Sequence, residues 1–330
     1  MRITRNQLWF TSPNFLQVCT ASRTARSAAG WVGKLVLPAM LAAGCTTAPV
    51  SPPRSSAPEA AAAPTARKPL KIGLALGGGA ARGFAHVGVI SVLEEAGLRP
   101  HMVAGTSAGS LVAAIYATGK TSAQLQQTAL AMEEVAITDW MLPIIGKGVF
   151  RGDALGRYVN QLVGGRLIEQ MAIPLGIVAT DLNSGQAVMF RSGDTGTAVR
   201  ASSAVPAVFV PVRISGREYV DGGLVSPVPV RFARQMGADI VVAVDISSPP
   251  EANPAGDTLQ ILLQTFAIMG KSINHYELKE ADVVVRPSLT GLKSADFSAR
   301  KLAIESGRAA MLAALPALKA KLAAGATASP

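Results

Sequence analysis

The stretch from Val103 to Gly109, Val-Ala-Gly-Thr-Ser-Ala-Gly, restricts the possible folds of this chain more than any other. An apolar run ends there in Gly-x-Ser-x-Gly, and a second apolar segment follows at once. The pattern predicts a buried strand, a sharp turn and a helix, with Gly105 and Gly109 letting strand and helix pass closely. Such a turn presents the Ser107 hydroxyl above the sheet, near the positive end of the helix. Ser107 is therefore a candidate nucleophile, and a glycine-rich turn with an incidental serine is the alternative.

Apolar runs alternate with helical patterns along the rest of the chain. The runs at 71–76, 173–181 and 239–246 are almost continuous in Val, Ile, Leu and Ala. Runs of this kind are typical of strands whose two faces are both covered. We therefore predict an α/β fold with three layers, α/β/α, and a mostly parallel central sheet.

The expected domain boundaries follow from the same pattern. A single catalytic domain is predicted at 71–290, with hairpins where turn residues interrupt it at 183–185 and 215–216. A C-terminal helix and a disordered tail are predicted at 291–330, with the disorder at 324–330.

Residues 1–44 have the composition of a secretory signal peptide. Their charged residues are all basic, and a short apolar run at 35–43 follows them. That run is too short to span a bilayer. The segment from Leu41 to Cys45 resembles a bacterial lipobox, although Ala42 stands where leucine is usual. The resemblance implies that Cys45 is lipidated and becomes the mature N-terminus, whereas an incidental cysteine is the alternative.

The segment at 45–70 is rich in Ala, Pro, Ser and Thr, and is predicted to be a flexible tether. Lipidation of Cys45 would anchor the protein in the cell envelope. Thr46 after the cysteine, rather than aspartate, is similar to lipoproteins of the outer membrane. We therefore expect the periplasmic face of that membrane as the location.

Charge and cysteine content exclude several classes of partner. The formal net charge of +10 becomes +5 once the five basic residues before Cys45 are removed. Because the remaining charge forms no basic cluster, we expect no nucleic-acid partner. Cys19 and Cys45 are the only cysteines, so the mature chain would contain no intramolecular disulfide. No cluster of His, Cys and Asp has metal-ligand spacing, and we predict neither a metal nor a cofactor.

A glycine-rich loop, Gly77 to Gly83, follows the first predicted strand and precedes a helix. Backbone amides in such a loop can converge on an anion. A dinucleotide site is disfavoured because Glu94 and Glu95 come too early for the ribose-binding acid. A P-loop is disfavoured because Arg82-Gly83-Phe84 replaces its Gly-Lys-Ser/Thr. An oxyanion hole fits the loop better, and a tight turn without a ligand is the alternative.

A second polar position lies at a strand end, in Asp221-Gly222-Gly223. Composition alone favours a turn-forming aspartate at Asp221 over a catalytic one. His86 recurs with apolar residues on a predicted helix and is expected to be packed in the core. His275 alone lies late enough in the chain to complete a Ser, Asp, His triad of the α/β-hydrolase type, which stays open as an alternative.

Together, the Gly77–Gly83 loop, Gly105–Gly109 and Asp221–Gly223 resemble the motifs of the patatin-like phospholipase family, in its bacterial, NTE-like branch. The match is imperfect at Ala80, which occupies one position of the usual glycine frame, and Gly223 is a bacterial variant. The resemblance implies a lipid acyl hydrolase that cleaves ester bonds of phospholipids or lysophospholipids through an acyl-enzyme. A weakly active lipid-binding protein tethered to the envelope is the alternative from another class.

The resemblance also implies roles for individual residues. Ser107 would be the nucleophile and Asp221 its base, without a metal or cofactor. The amides of Gly78, Gly79 and Ala80 would form the oxyanion hole. Arg82 would shape that loop or contact a lipid phosphate.

Overall fold

The computed structural model describes residues 69–132, 151–250, 256, 258–292 and 297–327. The predicted signal peptide, the predicted lipid attachment at Cys45 and all but the end of the predicted tether lie outside these residues. They remain predictions.

A single sheet of eight strands forms the centre of the described domain, in the order β5-β6-β3-β2-β1-β7-β8, with β4 paired to β3 outside this path. Strands β1, β2, β3, β7 and β8 pair in parallel, whereas β4, β5 and β6 are joined by antiparallel pairs. The prediction of an α/β fold with a mostly parallel sheet is confirmed. The strands are β1 Ile72–Leu76, β2 Met102–Thr106, β3 Leu175–Asp181, β4 Ala187–Phe190, β5 Val212–Ile214, β6 Arg217–Asp221, β7 Ile240–Val244 and β8 Val283–Val285.

Helices cover both faces of this sheet. Because strand side chains alternate, Leu74 packs with α1, α2 and α8 on one face, while its neighbour Ala75 packs with α6 on the other. The sequence pattern did not predict α6. The α-helices of the described residues are α1 Phe84–Glu95, α2 Ala108–Ala117, α3 Ser122–Leu130, α4 Asp153–Leu162, α5 Thr195–Ser202, α6 Val230–Gln235, α7 Thr258–Glu277 and α8 Arg300–Thr327.

The C-terminal helix α8 packs directly against α1. At Gly307 the two backbones approach so closely that a Cβ there would lie 1.9 Å from the carbonyl oxygen of Ala85. The helix continues to Thr327 and so includes the first residues of the segment that was expected to be disordered. α8 therefore shares the core of the catalytic domain.

One edge of β3 carries two strands, one after the other. Strand β2 pairs in parallel with Leu175 to Val178, and β6 pairs antiparallel with Ala179 to Asp181. Strand β4 pairs with residues of β3 that overlap both ranges, so it occupies the opposite edge. The C-terminal ends of β2 and β6 therefore meet end to end beside β3.

Candidate active site

The turn between β2 and α2 has the sharp geometry that the sequence predicts. Ser107 has φ 52° and ψ −123°, a left-handed region that few non-glycine residues adopt. A Cβ at Gly105 would lie 2.5 Å from the Gly109 carbonyl oxygen, and one at Gly109 would lie 2.1 Å from that of Leu76. Both glycines are therefore required by the close approach of backbones.

Neighbouring serines hold this strained turn in place. The backbone N–H of Ser107 donates to Ser202 Oγ at 2.8 Å, and the Ser202 hydroxyl donates in turn to the carbonyl oxygen of Val178 at 2.6 Å. The Ser110 hydroxyl donates to the Ser107 carbonyl oxygen at 2.6 Å. Ser202 was not predicted to take part, because no local sequence pattern indicates that α5 lies against the turn.

Asp221 ends β6 where that strand meets β2. Its backbone N–H donates to the Ala204 carbonyl oxygen at 2.9 Å, and its Oδ1 accepts the Gly223 N–H at 2.7 Å. Its side chain also interacts with the Ser107 hydroxyl. Burial raises the pKa of Asp221 to about 6, against the lowering effects of the Gly223 N–H and the Ser107 hydroxyl. The structure therefore places a carboxylate of raised basicity beside the serine.

The glycine-rich loop passes close to the serine, since a Cβ at Gly78 would lie 3.1 Å from Ser107 Cβ. The Gly77 amide donates to the Val244 carbonyl oxygen at 3.1 Å, and the Gly78 amide donates to that of Pro227 at 3.0 Å. Gly78 therefore does not present a free amide to the site, contrary to the expectation from sequence.

The next residues of the loop form a tight turn. Gly79 precedes a 3₁₀ turn, Ala80–Gly83, and Ala80 has φ 49°. The first amides of a helical turn have no partner within it. Arg82 stabilises this geometry, because its Nε donates to the Gly79 carbonyl oxygen at 3.3 Å. Burial lowers the pKa of Arg82 to about 10, with Asp245 acting in the opposite direction, so the guanidinium is charged at neutral pH.

All three histidines of the chain lie in the described residues, and none contacts Ser107 or Asp221. His86 is fully buried, as predicted, and its Nε2 donates to the Gly77 carbonyl oxygen at 2.8 Å. Burial lowers the pKa of His86 to about 4, so the ring is neutral. His275 is exposed beside Lys279, with 3.2 Å between His275 Nε2 and Lys279 Nζ. The structure therefore does not support a triad through His275.

A small apolar pocket adjoins the serine turn. Ala80 and Ala108 line it next to the turn, and most of the remaining lining comes from α1 to α4. Among the described residues there is no group of three potential metal ligands, and no described helix is long and apolar enough to cross a bilayer.

The chain is similar to several known proteins. Residues 74–234 match the family model described as patatin-like phospholipase, a range that includes the glycine loop, Ser107 and Asp221. An uncharacterized NTE family protein of Mycobacterium tuberculosis is 37% identical over 188 residues, which cover 57% of this chain and 52% of that protein. Patatin-like phospholipase domain-containing protein 6 of Homo sapiens is 31% identical over 232 residues, which cover 68% of this chain and 16% of that protein.

Among solved structures, VipD from Legionella pneumophila aligns with a TM-score of 0.48 and 14% identity, covering 76% of this chain and 67% of that one. The chain spans about half the length of the mycobacterial relatives that it matches.

Proposed function

We propose that this chain hydrolyses carboxylic ester bonds of phospholipids or lysophospholipids through Ser107 and Asp221, because residues 74–234 match the family model described as patatin-like phospholipase. One observation carries the proposal: a serine in a strained strand-to-helix turn interacts with a buried carboxylate whose pKa is raised to about 6. A general base with a pKa near the operating pH combines adequate basicity with the correct protonation state.

The proposed reaction has two steps. Asp221 accepts the Ser107 proton while Ser107 Oγ bonds to the ester carbonyl carbon. The tetrahedral intermediate collapses, the C–O bond to the alcohol breaks, and the alcohol leaves with the proton from Asp221. Water, deprotonated by Asp221, then attacks the acyl-enzyme, and the fatty acid leaves as Ser107 regains its proton.

The oxyanion of each intermediate would lie between the glycine loop and the start of α2. We assign it to the amides of Gly79 and Ala80, because the Gly78 amide is hydrogen-bonded to Pro227. A donor of this kind typically contributes about 3 kcal/mol to transition-state stabilisation. The positive end of α2 supports the same charge.

The apolar pocket is the proposed acyl-chain site. It begins at Ala80 and Ala108, which flank the proposed oxyanion donors and the nucleophile, and its lining is almost entirely apolar. Fatty acyl groups match this lining, whereas polar acyl groups would lose their hydration without gaining hydrogen bonds.

Mass spectrometry of products from a mixed lipid extract tests the proposed function. The wild-type chain should release free fatty acids and deacylated lipids, and the Ser107→Ala chain should not. Ser91→Ala is a matched control, because it removes a buried serine hydroxyl that donates to the Val87 carbonyl oxygen within α1. Product profiles that are identical for wild type and Ser107→Ala would refute the proposal and favour the lipid-binding alternative.

We also propose that a lipid on Cys45 anchors the protein to the periplasmic face of the outer membrane. The chain enters the domain at the amino end of β1, whereas the site lies at the carboxyl ends of the strands. The 24 residues from 46 to 69 can extend to about 80 Å, more than the roughly 50 Å width of a domain of this size. The site could therefore still face the membrane. Cys45→Ser should release the protein from membranes washed with alkaline carbonate, which removes peripherally bound protein, or leave its signal uncleaved. Fully processed Cys45→Ser protein in the washed membranes would refute the anchor.

A further inference from the structure

Helix α7 is amphipathic in the opposite sense from an ordinary surface helix. Its buried residues are Gly270, Asn274 and Glu277, which are small or polar. Most of its large apolar residues are instead between 40% and 69% exposed, and they make up most of the exposed large hydrophobic residues of the described domain: Leu259, Ile261, Leu263, Ile268, Met269 and Tyr276. At about 100° per residue, Ile261, Ile268, Met269 and Tyr276 lie on the side of the helix away from Gly270, Asn274 and Glu277. An exposed face with several large apolar residues marks an interaction surface.

The buried side of α7 contacts the segments that hold the active site. Glu277 Oε1 accepts the Ser226 hydroxyl at 2.7 Å, and a Cβ on Gly270 would lie 3.6 Å from Pro227. The carbonyl oxygen of Ser226 accepts the Thr106 hydroxyl beside the nucleophile, and that of Pro227 accepts the Gly78 amide. The exposed side of α7 is therefore only about one helix diameter, roughly 10 Å, from the residues that position the serine turn and the glycine loop.

The charges on α7 suit an anionic lipid surface. In the described segment from Thr258 to Lys279, the exposed residues with full charges are Lys271 and Lys279, and both are cationic. Glu277, the acid of this segment, is buried against Ser226. Tyr276 is 69% exposed beneath the Lys279 ammonium, which lies 5.1 Å from its ring centroid. An apolar helix face with aromatic and basic residues is typical of helices that lie in a membrane interface.

We propose that the exposed face of α7 docks the domain onto the surface of an anionic phospholipid bilayer. The role of this docking rests on the proposed function, because binding through α7 would bring the Ser107 site to a lipid substrate. The helix would lie along the interface without spanning it, with Ile261 and Ile268 immersed among the acyl chains. A second copy of the chain is the competing occupant, and the test separates the two.

Vesicle flotation measures the docking directly. The protein is the chain from residue 46 onward, which contains every described residue and lacks Cys45, with Ser107→Ala to keep the vesicles intact. The vesicles contain equal parts of phosphatidylcholine and phosphatidylglycerol. The double change Ile261→Asp and Ile268→Asp should lower the partition coefficient by about tenfold per substitution. The matched control is Leu302→Asp with Leu312→Asp, which changes two similarly exposed residues on α8 and should leave partitioning unaltered.

Three results would overturn the proposal. The variant with both α7 changes, hereafter the α7 pair, could bind vesicles as well as the reference chain does. The control variant with both α8 changes, the α8 pair, could weaken binding as much as the α7 pair does. The α7 pair could also convert a dimer to a monomer in light scattering while vesicle binding persists, which would make α7 a contact between copies. Because binding is measured on an inactive chain, these results do not depend on hydrolysis, and a failure of the proposed function would appear only in the product analysis.

In chains that retain Ser107, the activity assay is the ratio of vesicle phospholipid hydrolysis to hydrolysis of a soluble short-chain ester. The α7 pair should lower this ratio by about as much as it lowers binding, and an unchanged ratio would also contradict the proposal.

Discussion

Replacing Asp221 with Asn should make the protein more stable at pH 8, although it removes the proposed base. Burial raises the pKa of this carboxyl from 3.8 to about 6, so the folded state holds its proton more tightly than the unfolded state does. A raised carboxyl pKa means that ionisation favours the unfolded chain. The difference of about two units corresponds to roughly 3 kcal/mol of lost stability at pH values above 6, and to none below about pH 4.

Asparagine avoids this loss because it stays neutral. Its side-chain oxygen can still accept the Gly223 N–H that Asp221 Oδ1 accepts at 2.7 Å. The free energy of unfolding of Asp221→Asn should therefore exceed that of wild type by up to about 3 kcal/mol at pH 8. For a domain of this size the melting temperature would rise by about 6–12 °C. The gap should close as the pH falls from 6 to 4.

Urea unfolding of both chains between pH 4 and pH 8 measures this difference. Asp181→Asn is a control of opposite sign, because hydrogen bonds from Ser184, Asn183 and Arg217 lower the pKa of Asp181. That substitution should destabilise the protein throughout this pH range, because the contribution of Asp181 is lost only below the unfolded pKa of 3.8. An Asp221→Asn chain no more stable than wild type at pH 8 would show that the carboxylate is not destabilised by its surroundings.

The remaining predictions concern groups around the nucleophile. Below pH 6, kcat/KM should fall about tenfold per pH unit as Asp221 becomes protonated, and a profile level down to pH 4 would contradict its role as base. Ser202→Ala should lower the free energy of unfolding by about 1–3 kcal/mol in urea, because the Ser107 N–H loses its acceptor; unchanged stability would refute this. Gly79→Ala should reduce kcat, since its Cβ would lie 2.9 Å from the Ile246 carbonyl oxygen; normal turnover would remove this loop from the mechanism.

The local parts of the site could be predicted because each follows an apolar run in the chain. The glycine loop follows β1, Ser107 follows β2, and Asp221 ends β6. A strand end, a glycine and a polar residue are adjacent in sequence, so their relation does not depend on the rest of the fold. The strained geometry of Ser107 belongs to this class of feature.

The long-range parts could not be predicted in this way. The Gly78 amide donates to the carbonyl oxygen of Pro227, which is distant in sequence. The Ser107 amide donates to the hydroxyl oxygen of Ser202, which is also distant. The orientation of α7 is a similar case, because hydrophobic periodicity predicts a helix that buries its apolar face. Asn274 and Glu277 face inward instead, since hydrogen bonds to Ser247 and Ser226 compensate for part of their burial.

Ser107 and Asp221 lie close together because of the register in which β2 and β6 pair with β3. No local sequence signal indicates this proximity. Thr106 pairs with Val178, and Asp221 pairs with the next residue of β3, Ala179. A strand rises about 3.3 Å per residue, so the ends of β2 and β6 come as close as two strands running toward each other can. Gly222 permits this approach, because a Cβ there would lie 2.2 Å from the Val178 carbonyl oxygen. A slip of one residue in β6 would move Asp221 away from Ser107 and turn its side chain to the other face of the sheet. The pairing of β6 with β3 is therefore as necessary to the proposed chemistry as the serine itself.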